Sequence, residues 1–194
     1  MKPALSVILT LRNHEPVVAT MVRGAVALAG ALAEADADTL PFEILALDER
    51  SGDNTLSHLS VLNGQISQLR IFHDIAPGQS IRRAVEVARG SCWVVLDRPV
   101  ELPLVEWAAS MVTCERLAAI VPGEVLAVDA DVGRVALRSL RGGLVSAQRA
   151  VERAVRERGQ RPAWSPAPDR GIAERAMLFM RRHMVGLLDR PLKS

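Results

Sequence analysis

The chain has 194 residues, of which 49% are hydrophobic and 24% charged, and its formal net charge at pH 7 is +2. This length supports one sizeable core, so we expect a single domain over residues 1–194 rather than two independent domains. All apolar runs fall short of the ~18 residues that a transmembrane helix needs, and the run near the N-terminus is too short for a signal peptide. We therefore expect a cytoplasmic protein.

Arginine supplies almost all of the positive charge, since only Lys2 and Lys193 of the 24 basic residues are lysine. Arginine binds phosphate in forked geometry, but biased residue usage explains the same count in a chain that contains no Tyr. Aromatic residues make up 3% of the chain, too few for the stacking platforms that hold single-stranded nucleic acid. We do not expect a nucleic-acid partner.

The cysteines and histidines form no recognised metal or catalytic pattern. Cys92 and Cys114 lack CxxC spacing and have apolar neighbours, which predicts buried free thiols rather than a zinc site or a disulfide. The histidines are far apart in the sequence, at His14, His58, His73 and His183. We interpret them as scattered surface or core residues, although His14 follows the first predicted strand and is able to point into a cleft.

Strands and amphipathic helices alternate in the first half of the chain. Apolar runs predict strands at residues 5–11, 42–47, 69–72 and 92–96. Apolar residues at steps of three and four predict helices at about residues 18–32, 54–65 and 81–88. This alternation implies right-handed crossovers and an α/β fold with a mainly parallel sheet flanked by helices.

The second half is less regular. We predict helices at residues 104–114 and 146–158, the latter ended by Gly159, and strands at 125–128 and 134–140. Asp129-Ala130-Asp131 is interpreted as a hairpin turn between these strands rather than as a metal motif. Residues 162–168 are predicted to be an extended link, and residues 172–188 a helix with a methionine stripe opposite arginines. We expect that helix to pack on the core or on a second subunit, with peripheral membrane contact as the alternative.

The segment FEILALDERSGDNT at residues 42–55 is the best indication of where a ligand binds. An apolar run, typical of a strand buried on both faces, ends in Asp48 and Glu49 and is followed by turn and cap residues. Ligands of open α/β sheets bind beyond the carboxyl ends of such strands. We therefore expect these two acidic residues to lie at a binding cleft.

Four segments of the chain resemble family 2 glycosyltransferases. SVILTLRN at residues 6–13 is similar to that family's SVIIPTYN, LDERSGDNT at 47–55 to VDDGSTDNT, and ARGSCWVVLDRPVELP at 88–103 to ARGEYIAFLDSDDWLP. Residues 147–166 are similar to a later helix and strand of the family. The resemblance implies a Rossmann-like GT-A nucleotide-diphospho-sugar transferase fold, with a nucleotide-binding half at residues 1–103 and a shortened acceptor half at 104–194.

The resemblance also implies nucleotide-binding residues, namely Arg12, Asp48, Glu49, Asp97 and Arg98. Arg12 stands where the family has an aromatic residue that stacks on the base, and a guanidinium is able to stack on a base face as well. Glu49 stands where the family's second acidic residue binds the base, and it is able to accept the same hydrogen bond. Asp53 also matches the family, but capping of the following helix explains it equally well.

The family's metal-binding DxD motif reads Asp97-Arg98-Pro99 in this chain. The last Asp of that motif holds a divalent cation that bridges the donor's phosphates, and a proline side chain cannot ligate a metal. We therefore expect no cofactor, neither Mn²⁺ nor Mg²⁺. Arg98 is able to place positive charge on a diphosphate instead; the alternative is a solvated residue that merely follows the strand.

The family's general base is the Asp of a Glu-Asp pair, which reads Ala147-Gln148 in this chain. An amide cannot take the proton of an acceptor hydroxyl at neutral pH. The candidate substitutes are Glu152, one helical turn further on, and Asp169, after the predicted link. Glu152 is explained more simply as an exposed ion-pair partner of Arg149 or Arg156.

Three functions are consistent with these residues. The first is a degenerate or pseudo-glycosyltransferase that keeps the nucleotide-sugar-binding fold and acts as a binding partner, as a homodimer or beside an active glycosyltransferase. The second is an active, metal-independent inverting glycosyltransferase with a nucleotide-sugar donor. The third is an arginine-rich module for anionic membranes or nucleic acid. Loss of both metal ligand and base favours the first, because either loss alone should lower the rate by orders of magnitude.

Overall fold

A mixed sheet of seven strands forms the middle layer of the computed structural model, which describes residues 3–36, 41–114 and 116–165. The strands are β1 (Leu5–Leu11), β2 (Phe42–Asp48), β3 (Leu69–Phe72), β4 (Cys92–Leu96), β5 (Ala118–Val121), β6 (Val125–Asp129) and β7 (Ala163–Trp164). The helices of this part of the chain are α1 (Val18–Asp36), α2 (Thr55–Asn63), α3 (Ser80–Val87), α4 (Leu102–Cys114), α5 (Ala130–Leu137) and α6 (Leu144–Glu157).

The strand order reverses beside β1. The order is β3-β2-β1-β4-β6-β5-β7, with β1 parallel to both β2 and β4. β2 and β3 are also parallel, as are β5 and β7, whereas β6 is antiparallel to β4 and β5. The ends of β1, β2 and β4, at Leu11, Asp48 and Leu96, therefore lie at one edge of the sheet, together with the turn between β5 and β6. We call this the carboxyl edge and the opposite one the amino edge.

Helices cover both faces of the sheet, so the central strands are buried on both sides. All seven residues of β1 and all five of β4 are buried. Val7 and Leu9 pack with apolar residues of α1, α2 and α4, while Ile8 packs with residues of α3, α5 and α6. Burial on two faces is the reason why these strands are continuous apolar runs in the sequence. The expected α/β architecture, a mainly parallel sheet flanked by helices, is confirmed.

The prediction of a strand at residues 134–140 is wrong, and so is that of a hairpin turn at residues 129–131, because α5 begins there. The Asp129 carboxylate caps the helix: its Oδ1 accepts hydrogen bonds from the N–H groups of Asp131 at 2.9 Å and Val132 at 3.3 Å. Such a cap satisfies donors that the first turn of a helix leaves unpaired. The hairpin partner of β6 is instead β5, a strand that the sequence patterns did not indicate.

The other predicted elements are confirmed to within a few residues as far as the described chain extends. Gly159 has φ 74° just after α6, as expected of a residue that ends a helix. Part of the predicted link at 162–168 forms β7, which pairs with β5. The predicted helix at 172–188 and Asp169 lie outside the described residues. Among the described helices, none is long and apolar enough to cross a membrane.

The two cysteines differ in exposure. Both are free, but only Cys92 is buried; the prediction of a buried thiol is wrong for Cys114, which lies exposed at the end of α4. Burial raises the pKa of the Cys92 thiol to about 12. This thiol therefore stays protonated and unreactive at neutral pH.

Gly133 provides a test of α5, because this glycine packs directly against the indole of Trp93. A methyl group added at Gly133 would lie 2.6 Å from Trp93 Cε3, whereas one added at Gly24 in α1 would meet nothing within 4 Å. We expect Gly133→Ala to lower the free energy of unfolding by about 1–3 kcal/mol through overpacking. The matched control Gly24→Ala should raise it by about 0.5–1 kcal/mol. Denaturant unfolding measures both, and an unchanged stability of Gly133→Ala would contradict the packing of α5 on β4.

Candidate functional site

The loops that follow β1, β2 and β4 meet at the carboxyl edge. β1 lies between its two parallel neighbours, with Leu11 paired to Asp48 and Leu9 paired to Leu96. The strand order reverses between β1 and β4, and ligands of open α/β sheets bind outside the carboxyl ends of the strands at such a reversal. The candidate site therefore consists of residues 12–15, 48–55 and 97–98, which we call the carboxyl-edge loops.

Asn13 joins the loop after β1 to the loop after β2. Its N–H donates to Ser51 Oγ at 2.9 Å, and its side-chain Oδ1 accepts from the Gly52 N–H at 2.8 Å. The residue has φ 55°, a left-handed conformation that Asn adopts more readily than most residues. These hydrogen bonds therefore fix the positions of the two loops relative to each other.

Two carboxylates extend this connection. Glu15 accepts from the N–H of Asn54 at 3.1 Å and from its side-chain amide at 3.0 Å, and Asp53 accepts from the Glu15 N–H at 3.0 Å and the Thr55 N–H at 3.1 Å. The hydrogen bonds from Asn54 lower the pKa of Glu15. Burial raises the pKa of Asp53, but the hydrogen bonds from Thr55 and Glu15 outweigh it and lower the pKa overall. Both groups are therefore ionised at neutral pH, and Asp53 both supports the start of α2 and ties the loops together.

His14 connects the end of β1 to the end of β4. Its Nε2 lies 2.9 Å from the carbonyl oxygen of Asp97 and donates to it, while its Nδ1 lies 2.9 Å from both the backbone nitrogen and the carbonyl oxygen of Arg12. Its backbone N–H also donates to Thr55 Oγ1 at 2.9 Å. Sequence reasoning treated His14 as one of several scattered histidines, and only its place just after the first strand signals this role.

The two acidic residues at the end of β2, Asp48 and Glu49, differ in their hydrogen bonds. Asp48 is fully buried, and both of its carboxylate oxygens accept hydrogen bonds from Ser51, one from the N–H at 3.1 Å and one from the hydroxyl. Glu49 is half-buried, and its Oε1 accepts from the Ser80 N–H at 3.1 Å at the start of α3. Its Oε2 has no hydrogen-bond partner among the described residues. Glu49 is therefore the acidic group with an oxygen left for a ligand, whereas Asp48 shapes the loop.

Asp97 and Arg98 form an ion pair with each other. Arg98 Nε donates to Asp97 Oδ1 at 2.7 Å, and their side chains are 23% and 27% exposed, in that order. A divalent cation requires several oxygen ligands, but Pro99 offers none from its side chain and Asp97 is already bound to a guanidinium. Within the described chain, no three His, Cys, Asp or Glu side chains are grouped so that they could hold a metal. These residues do not fit a divalent cation.

The side chain of Gln148 makes hydrogen bonds that support the fold. Its side chain is 6% exposed, its Oε1 accepts from the Gly123 N–H at 3.0 Å, and its Nε2 donates to the carbonyls of Val121 at 2.8 Å and Val125 at 2.9 Å. The amide thus closes the turn between β5 and β6, where Gly123 has φ 73°. The position at which the resemblance implies a base is occupied by a structural side chain.

Of the two candidate substitutes for the base, Glu152 lies in the described part of the chain and is paired within α6. Glu152 Oε1 lies 2.8 Å from Arg156 Nη2, the ion pair with a residue one helical turn away that its spacing suggested. Asp169 lies outside the described residues.

Backbone strain is concentrated at the same edge. In the described chain, the residues other than glycine with positive φ are Asn13 at 55°, Arg50 at 53° and Asp74 at 58°. They follow β1, β2 and β3, and Arg50 Nε donates to Asp74 Oδ1 at 2.8 Å. Such conformations cost free energy and cluster at ligand sites. The distribution of strain therefore supports the carboxyl edge as the binding region.

Solved glycosyltransferases share this fold. The mannosyltransferase PcManGT from Pyrobaculum calidifontis, solved with GDP-Man and Mn²⁺, matches with a TM-score of 0.62 and 14% identity over 98% of this chain and 66% of its own. Residues 1–349 of TarS from S. aureus match with a TM-score of 0.59 and 13% identity over 100% of this chain and 67% of that one, and the UDP complex with a TM-score of 0.58. The chain therefore has the GT-A nucleotide-sugar transferase fold, as expected.

The chain spans about two thirds of the length of these neighbours. No protein-family model and no curated protein matches its sequence. At identities of 13% and 14%, the likeness concerns the fold.

Gln148→Glu tests the structural role of the amide. A carboxylate at this position would face the carbonyls of Val121 and Val125 without an N–H to donate, so we expect the free energy of unfolding to fall by about 1–3 kcal/mol. Gln160→Glu makes the same chemical change at an exposed residue beyond α6, and its effect should stay within about 0.5 kcal/mol. Thermal or denaturant unfolding at neutral pH measures the difference; equal stabilities of the two variants would contradict the role.

Proposed function

We propose that this protein is a pseudo-glycosyltransferase, a GT-A domain that binds the nucleoside diphosphate part of a nucleotide sugar at the carboxyl edge without catalysing sugar transfer. The observation that carries the proposal is the use of Gln148. An amide cannot serve as general base at neutral pH, and this one has its oxygen and both N–H groups engaged with the turn between β5 and β6. A substitution that restored a carboxylate here would disturb the hairpin before it supplied a base.

The phosphate side of the site also supports a protein that does not catalyse sugar transfer. The Asp97 carboxylate is paired with Arg98 at 2.7 Å, and Pro99 follows where the family places its metal ligand. A metal ion neutralises the leaving diphosphate in such transfers and contributes several kcal/mol to stabilising the transition state. Loss of this contribution together with the base would leave a protein that binds its ligand and does not turn it over.

The nucleoside side of the site supports retained binding. Glu49 Oε2 is left for a base N–H. The hydrogen bonds of Asn13, His14 and Asp53 fix the loops in place before a ligand arrives, which lowers the entropic cost of binding. The neighbours PcManGT and TarS were solved with GDP-Man and UDP, ligands of the same chemical class.

Calorimetric titration with UDP, GDP, CDP and ADP, with and without Mn²⁺, tests the binding half of the proposal. We expect at least one of these diphosphates to bind, and Glu49→Gln to weaken it by about tenfold or more, since a hydrogen bond to a charged group contributes about 1.5–3 kcal/mol. Gln at this position still accepts from the Ser80 N–H, so the support of α3 is kept. The matched control, Glu157→Gln at the exposed end of α6, should leave the affinity unchanged.

Incubation of the binding-competent protein with the corresponding nucleotide sugars tests the second half. We expect neither hydrolysis nor transfer above the uncatalysed rate. Turnover that Glu152→Gln abolishes would establish the alternative, an active metal-independent inverting transferase. Absence of binding to every nucleotide would remove both functions.

A further inference from the structure

We propose that Arg98, together with Arg12, takes the place of a divalent cation, so that the site binds a nucleoside diphosphate independently of metal. This rests on the proposed function and specifies how its ligand is held. It goes beyond the loss of the metal ligand, because it names the guanidinium groups of this chain that neutralise the charge of the phosphates.

The Arg98 guanidinium is held in place with donors left over. Its Nε is fixed on Asp97 Oδ1 at 2.7 Å, and only 23% of the side chain is exposed. The Nη1 and Nη2 groups make no hydrogen bond within the described residues. A guanidinium fixed through Nε presents its remaining N–H groups as a fork, which matches two oxygens of a phosphate. The ion pair therefore orients the guanidinium and leaves its Nη1 and Nη2 groups available to a ligand.

Arg12 supplies a second cationic group on the neighbouring strand. It follows β1 directly, and His14 holds the end of β1 to the end of β4 through the 2.9 Å hydrogen bond from Nε2 to the Asp97 carbonyl. Neighbouring strands lie about 4.8 Å apart, so the backbones that carry the two arginines start close together. The side chain of Arg12 is exposed and has no partner in the described part of the chain, which leaves it available to a ligand.

Several carboxylates of the carboxyl edge already accept hydrogen bonds from neighbouring groups. The carboxylates of the carboxyl edge that accept N–H, hydroxyl or guanidinium donors are Glu15, Asp48, Asp53 and Asp74. Glu49 lies on the β2 side, away from β4, and its Oε1 is bonded to Ser80. Asp97 is the carboxylate that competes with a phosphate for Arg98. The proposal therefore predicts that Asp97→Asn maintains or strengthens diphosphate binding. If Asp97 held a metal ion instead, the same substitution would weaken binding.

The experiment is a titration of the 194-residue chain with UDP and GDP, once in excess EDTA and once in Mn²⁺. We expect the same affinity in both solutions, a loss of about tenfold or more in Arg98→Met, and unchanged or tighter binding in Asp97→Asn. The corresponding nucleosides, uridine and guanosine, should bind the wild type and Arg98→Met equally, because they lack the phosphates. Arg116→Met removes the same charge from an exposed residue ahead of β5, at the amino edge, and serves as the matched control.

Four results separate the outcomes. Binding that requires Mn²⁺ and is lost in Asp97→Asn would overturn the inference and leave the proposed binding function intact. Normal diphosphate binding by Arg98→Met, with thermal unfolding showing that the variant is folded, would do the same. Metal-independent binding accompanied by sugar transfer would support the inference and overturn the non-catalytic function. Absence of nucleotide binding would overturn both.

Discussion

The position of β1 between β2 and β4 determines where the functional groups of this protein lie. β1 is parallel to both neighbours, so three strand ends meet at one edge, and its complete burial between two helix layers leaves no freedom of register. Asn13 and His14 then secure the loops with hydrogen bonds of 2.8–2.9 Å to the ends of β2 and β4. A ligand at this edge meets a surface that is already formed.

At two positions of this edge where the resemblance implies catalytic or metal-binding groups, the side chains are bound to other groups of the protein. The Gln148 amide meets two carbonyls and one N–H, a set that needs two donors and one acceptor and that a carboxylate cannot satisfy. The side chain that stands where the resemblance implies a base thus closes the hairpin at Gly123. At Asp97 the carboxylate is bound to Arg98, whose guanidinium is the positive charge that we propose in place of a metal ion.

Sequence patterns predicted the first half of the fold because buried strands and amphipathic helices differ clearly there in length and periodicity. They failed at α5, since residues 134–140 also fit a strand pattern and the deciding cap, Asp129, became evident only with its N–H partners in place. Parallel topology was enough to bring Arg12, Glu49 and Asp97 to one edge. The role of Gln148 was not predictable, because its partners lie 23–27 residues away in a hairpin whose first strand was missed.

Binding of the nucleotide across the ends of β1, β2 and β4 is tested most directly by amide hydrogen exchange, with and without saturating UDP or GDP. The proposed function predicts slower exchange in residues 12–15, 48–55 and 97–98 when nucleotide is present. The amino edge, around residues 88–91, should exchange as before. Protection confined to α6 or to the amino edge, with the carboxyl-edge loops unaffected, would contradict this placement of the site.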